Sequence, residues 1–260
     1  MNLQPLPNTA ALHLQDDNIL LIADLHLGIE SELRNSGINI NSQRKNLSDN
    51  LFSLLKEYKP KQLIILGDIK HNIPNTTYEE RNDVKRFLLE LNQLTNVHIV
   101  PGNHDGGLRF LAPKEITIHP ADGYLYKTLG LIHGHSYPRQ ELIENATHLI
   151  CAHAHPTIRL KDRMGYTHNE PCWLKGQLNK DTLCTRYHTE NSPEAIIMPS
   201  YNPLLGGGAA NIKDPLIGAL QNLIDSTTLE VYLLDGTYLG MLKDLEEEPI
   251  LNDTRKKEEK

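Results

Sequence analysis

Five short segments, far apart in the chain, carry side chains that bind metals: Asp24-Leu25-His26, Gly67-Asp68, Gly102-Asn103-His104-Asp105, His133-Gly134-His135 and His153-Ala154-His155. Together they mix hard carboxylate and amide oxygens with borderline imidazole nitrogens. That donor set suits two divalent ions sharing one carboxylate, because a carboxylate spans two cations and an imidazole does not. Asn103 would add a neutral carbonyl oxygen and so limit the negative charge on the site. Imidazoles favour manganese, iron or zinc over magnesium. A pair of such ions, roughly 3.5–4 Å apart, activates a water and clamps both oxygens of an in-line displacement at phosphorus.

The elements that must position these groups follow from hydrophobic period. The apolar run over 18–23 leads into Asp24 and predicts a buried strand. The run over 62–66 delivers Asp68, and 97–100 ends in the turn that carries Asn103 and His104. Between them, 29–36 predicts a short helix stopped by Gly37. Leu47, Leu51, Leu54, Leu55 and Tyr58 share one helical face over 42–58, as do Val84, Leu88 and Leu91 over 78–94. This β-α-β-α-β order implies parallel strands with the ligands just past their carboxyl ends, where open α/β sheets bind ligands. The second half predicts short strands over 115–119, 124–127, 129–133, 147–152, 157–161 and 195–198, with Gly123 and Gly130 in turns. A hairpin over 229–234 and 237–242 crosses Asp235-Gly236. The expected fold class is α/β, a four-layer α-β-β-α sandwich of two mixed sheets flanked by helices. Residues 1–243 are expected to form one domain and 244–260 a charged, disordered tail that includes the solvated run Glu246-Glu247-Glu248.

Composition narrows the function classes. The net charge of −7, with no basic stretch in the body of the chain, argues against a broad non-specific grip on polyanions. Bound cations reverse the sign locally, so a nucleic-acid substrate stays open. No apolar run reaches membrane-spanning length and no signal peptide is visible, so a soluble cytoplasmic protein is expected. Cys151, Cys172 and Cys184 lack a paired framework and read as reduced thiols, Cys151 as a small buried group. Cys172-Trp173 reads as packing. Of the 13 histidines, His13, His98, His119, His148, His168 and His188 lie outside the motifs and read as structural. Gly206-Gly207-Gly208 lacks the Lys-Ser/Thr ending of a nucleotide loop and reads as a tight turn.

The motif series resembles the calcineurin-like metallophosphoesterase superfamily. More narrowly, it resembles the SbcD-related, DNA-ligase-associated phosphoesterases of archaea and bacteria. The narrower resemblance rests on the segments 23–28 (Ala-Asp-Leu-His-Leu-Gly), 66–71 (Leu-Gly-Asp-Ile-Lys-His), 132–135 (Ile-His-Gly-His) and 198–207 (Met-Pro-Ser-Tyr-Asn-Pro-Leu-Leu-Gly-Gly), and covers about residues 18–210. It implies that Asp24, His26 and His155 hold one metal, that Asn103, His133 and His153 hold the other, and that Asp68 bridges both. It implies two divalent ions, manganese first, with iron, zinc or nickel as alternatives. His104 would stand beside the leaving group and Asp105 would orient it. A hydroxide held between the metals would be the nucleophile.

Many relatives carry an acidic or amide residue shortly after the bridging Asp, where this chain has Lys70-His71, so Lys70 or His71 is expected to contact the substrate phosphate. Between His133 and His135, His133 sits directly at the strand end and is preferred as the ligand. His135 either faces the phosphate or caps the loop before Tyr137-Pro138. The 198–207 turn is expected to approach the active face. The implied substrate is a phosphodiester, DNA or RNA among the candidates, with a helicase, ligase or exonuclease as protein partner and no membrane. A nucleotide or small phosphomonoester phosphatase, and a non-catalytic subunit of a DNA-repair complex, are the competing readings. The oligomeric state is left open.

Overall fold

The computed structural model describes residues 2–37, 44–72, 78–212 and 214–245. The three apolar runs of the first half become β3 (Ile19–Ile22), β4 (Gln62–Leu66) and β5 (Asn96–Val100), parallel neighbours in register Leu21 to Ile64 and Ile64 to His98. Helices α1 (Ile29–Asn35), α2 (Arg44–Tyr58) and α3 (Tyr78–Leu94) connect them or lie beside them. Successive strand residues face opposite sides, and both sides are apolar because both are covered. Leu20, Ile22, Leu63, Ile65, Val97 and Ile99 pack against Leu47, Leu51 and Leu55 of α2 and Val84, Phe87, Leu88 and Leu91 of α3. Ile19, Leu21, Ile64, Leu66 and Val100 point the other way.

They meet the second sheet. Its strands are β7 (Tyr124–Tyr126), β8 (Leu129–Leu131), β9 (His148–Cys151), β10 (Thr157–Lys161), β11 (Thr167–Gln177), β12 (Glu194–Ile197), β13 (Glu230–Leu233) and β14 (Tyr238–Met241). Leu129, Leu131, Ile150, Ala152, Trp173 and Met198 fill the space between the sheets. The alternate residues Leu149, Cys151, Leu174, Ala195 and Ile197 face outward. They lie under α4 (Gln140–Asn145), the short α5 (Lys180–Thr182) with its π-turn, and α6 (Leu220–Leu223). Helix, sheet, sheet and helix therefore stack in four layers. Both sheets are mixed: β8, β9 and β12 run parallel while their outer neighbours run antiparallel.

Several expectations change. The N-terminal segment, read as irregular, forms β1 (Leu3–Pro5) and β2 (Leu12–Leu14), an antiparallel extension of β3 that seals Leu12 and Leu14 into the core. On the other side β6 (Thr117–Ile118) completes six strands. The longest strand, β11, was not expected, because its first half is polar and holds Pro171. Gly130 lies inside β8 rather than in a turn, packed so closely on Leu149 and Ala146 that a side chain has no room. Beyond Leu245, the expected tail falls outside the described residues; its first residue, Asp244, closes a 3-10 turn over Leu242–Asp244. His98 and His119 are structural as read: His98 Nδ1 lies 3.0 Å from His119 Nε2, and His119 stacks on Tyr124 of the facing sheet. Cys151 and Cys172 are buried, and burial pushes the Cys172 thiol up to about 12, which leaves it inert. Among the described residues no helix is long and apolar enough to cross a membrane.

Candidate metal centre

Strand alternation puts the i and i+2 ligands, Asp24 with His26 and His153 with His155, on one face. Past the strand ends the backbone also takes left-handed kinks at Asp24 (φ 56°), His26 (41°), Asp68 (51°), His153 (69°) and His155 (44°). For residues with a side chain this conformation is disfavoured, and it persists only where the surroundings hold it. The loops past β3 and β4 hold each other: the Asp24, His26 and Leu27 amides donate to Gly67, Asp68 and Ile69 carbonyls at 3.2, 2.8 and 2.8 Å. The approach is so close that a Cβ on Gly102 would overlap the Asp68 carboxylate. Gly102→Ala is expected to cost roughly 1–3 kcal/mol through overpacking. Both the melting temperature and bound metal should fall; if neither does, the loop can step aside.

Among the described residues three donor groups result: His26 with His71 and His104, and two further sets with one oxygen between them. Asp24, His26 and His155 present ligand atoms within 4.8 Å of one another, and so do Asp68, His133 and His153. Asp68 Oδ2 lies 3.3 Å from His26 Nε2 in the first set and 3.3 Å from His133 Nε2 in the second. Asn103 Oδ1 joins the second set, 3.2 Å from His133 Nε2, with His153 Nδ1 3.1 Å from the same nitrogen. Asp24 Oδ1 and His155 Nε2 approach to 3.2 Å, yet both atoms, and His26 Nε2, are buried with no hydrogen-bond partner among the described residues. Buried polar atoms are rarely left so; a divalent cation satisfies all three at once, and the donor set fits one. His133 Nδ1 donates to the Leu66 carbonyl at 2.9 Å, which frees Nε2 as the ligand atom.

Electrostatics point the same way. Burial pushes Asp24 and Asp68 up, but the surrounding imidazoles win and hold both carboxyls below their ordinary value. Burial pushes His133 down, but Asp68 and Asp24 outweigh it and raise it to about 9. Burial and the neighbouring His133 lower His153 to about 4, and burial also lowers His26. The two carboxylates thus favour positive charge at this place, which a bound cation would supply.

The remaining candidates fall behind or beside this cluster. His104 donates its amide to Asp68 Oδ1 at 2.9 Å, and its ring Nδ1 lies 2.5 Å from the His71 carbonyl, leaving Nε2 on the side of Asp68. Asp105, expected to orient His104, instead accepts the Ile69 and Gly102 amides at 2.9 Å each, tying the β4 loop to the β5 loop. The His71 carbonyl is what orients the His104 ring. Lys70 is 1% exposed, so its side chain lies in the interior rather than on an open face. His71 stands behind a ligand: its Nδ1 is 3.1 Å from His26 Nδ1 and its Nε2 2.5 Å from Glu32 Oε2. His135 belongs to neither set; its ring lies 5.3 Å from that of His133. Ser200 Oγ donates to the Asp24 carbonyl at 2.9 Å and Asn202 Nδ2 to the Leu25 carbonyl at 2.8 Å, so the 198–207 turn braces the first ligand loop. Glu32 and Glu80 were not singled out from sequence, whereas Ser200 and Asn202 lie in the 198–207 turn expected to approach the active face. Glu80 accepts the His71 and Asn72 amides at 3.0 Å.

Two stacked sheets with carboxylate, amide and imidazole donors gathered at strand ends define a metal-dependent phosphoesterase. The family model for calcineurin-like phosphoesterases matches residues 18–215, and the chain belongs to that family. Among solved structures it is similar to the nuclease MPE of Pseudomonas putida, with 19% identity and a TM-score of 0.57 over 90% of this chain and 98% of that one. YfcE, a phosphoesterase from E. coli, is similar at 17% identity and a TM-score of 0.38, covering 85% of this chain and 96% of that one. No curated protein matches the chain.

Proposed function

We propose that the chain is a dinuclear-metal-dependent phosphodiesterase acting on nucleic acid. The observation that carries this reading is Asp68 Oδ2, which sits 3.3 Å from one ligand nitrogen of each donor set. Two divalent cations, manganese on this reading, supply when bound an activated water and neutralise charge at phosphorus. Asp24, His26 and His155 would hold one; Asn103, His133 and His153 would hold the other; Asp68 would be shared. His104, its Nδ1–H fixed on the His71 carbonyl, would present Nε2 to the leaving oxygen and, when that nitrogen also carries a proton, deliver it there and be left as the neutral Nδ1–H imidazole. Similarity in fold to a nuclease over nearly all of that protein's length supports a diester substrate. The setting that follows is cytoplasmic nucleic-acid repair beside a helicase, ligase or exonuclease, with residues 1–243 as the catalytic unit.

A bis-aryl phosphodiester and an aryl monophosphate, assayed side by side with Mn²⁺, test the reading. The diester is expected to be favoured about tenfold or more in kcat/KM. Faster monoester hydrolysis would make the chain a phosphomonoester phosphatase, and no hydrolysis of either would make it a non-catalytic subunit.

A further inference from the structure

A cleft of about 550 Å³ opens beside the metal ligand His155 and runs to the base of the β10–β11 hairpin, with Thr157, Asn169 and Pro171 in its wall. The hairpin begins two residues after His155 and reaches away from the body: every residue from Lys161 to Glu170 is exposed, and the tip bares Met164 (82%) and Tyr166 (71%). Its register pairs Thr157 with Pro171, Arg159 with Asn169 and Lys161 with Thr167. Alternation therefore puts Arg159 and Lys161 on the same face as the three cleft-lining residues. Arg159 Nε donates to Asn169 Oδ1 at 3.4 Å, as that sharing requires. The acids avoid this face. Glu170 pairs with Ile158 on the opposite side, next to His168, and Asp162 turns its carboxylate onto the Met164 and Tyr166 amides. In a chain of net charge −7, a cationic, acid-free face that continues the wall of the cleft beside His155 is suited to an anionic ligand.

We propose that this face of the hairpin holds the single-stranded flank of a nucleic-acid substrate, its phosphates laid along Arg159 and Lys161 while the scissile phosphate sits at the metal centre. The inference rests on the diesterase reading above and names its substrate class. Cations at i and i+2 on a strand stand roughly 6.6 Å apart, so both can meet one extended backbone. Neutral amides such as Asn50 and Asn169 line the cleft, suited to the hydrogen-bonding edges that only unpaired bases expose. Glu30 is the single carboxylate in the cleft lining, and it is buried.

The test uses the full chain loaded with Mn²⁺, a single-stranded oligonucleotide, its duplex, and the bis-aryl diester. The double variant Arg159→Gln/Lys161→Gln is expected to raise KM for the single strand about fivefold or more. It should also shrink the slope of log kcat/KM against log salt by about 1.4, the share of two phosphates no longer neutralised. A double variant with wild-type KM and salt slope on the oligonucleotide, while the wild type hydrolyses the bis-aryl diester, overturns the hairpin's role alone. So does a wild type that cleaves the bis-aryl diester and ignores single strands, or one that prefers the duplex. A wild type inert on every diester overturns the reading beneath it.

Discussion

Asp68→Asn is expected to remove both cations together. Its Oδ1 accepts the His104 amide at 2.9 Å, a bond that an asparagine oxygen keeps, so the loop should hold its shape. The other oxygen lies 3.3 Å from His26 Nε2 and from His133 Nε2. Replacing it by an NH₂ points two donors at the place where two positive charges must sit. Breaking one partner of a buried charge cluster costs roughly 3–5 kcal/mol, or about two to three and a half powers of ten in affinity. Metal analysis after dialysis against trace Mn²⁺ should find both equivalents lost in the variant, with turnover lost in parallel. The loss of only one equivalent would assign Asp68 to a single ion and undo the shared geometry. Retention of both would mean that the carboxylate contributes no charge to the centre at all.

The features behind that expectation are exposed by the sequence to different degrees. The strands that end in Asp24 and Asp68 are legible because burial on two faces writes a continuous apolar run, and the run stops where the ligand starts. The helices are legible through Leu47, Leu51 and Leu55, and through Val84, Leu88 and Leu91, one stripe each. β1 and β2 are not, because three residues are too few to show alternation and prolines surround them. β11 escapes for the opposite reason: its outer half leaves the body as an exposed hairpin, so no apolar face marks it.

At the site, residue type and order bring forward Asp24, His26, Asp68, Asn103, His133, His153 and His155, and the fold gathers these seven. What spacing cannot carry is the direction of a side chain on a kinked backbone. Lys70 and His71 follow Asp68 in sequence, but the left-handed turn at Asp68 sends one into the interior and the other behind His26. Asp105 turns onto backbone amides for the same kind of reason. Glu32 is an ordinary polar residue until tertiary placement sets its carboxylate on His71, while Ser200 and Asn202 belong to the turn whose approach to the active face was expected.

His104→Ala should separate catalysis from metal binding. The ring lies close to the ligands, 4.7 Å from that of His26, and could be mistaken for one. On the proposed reading it is not one: Nδ1 lies 2.5 Å from the His71 carbonyl, and Nε2, 3.9 Å from Asp68 Oδ2, would face the leaving oxygen. The contact that fixes Asp68, the His104 amide, belongs to the backbone and survives the substitution. Metal content is therefore expected to match wild type, while kcat falls about 10²–10⁴-fold, the usual worth of a positioned proton donor. The size of the loss should depend on the leaving group. A nitrophenolate departs without help, so bis-aryl diesters should lose least; a nucleoside alkoxide needs the proton and should lose most. Equal losses across that series would make His104 a positioning group for the phosphate rather than an acid. Loss of metal would place it among the ligands, and the His71 carbonyl would then have to release its Nδ1 or the ring would have to turn, which a difference in the histidine NMR tautomer pattern between metal-free and loaded protein would reveal.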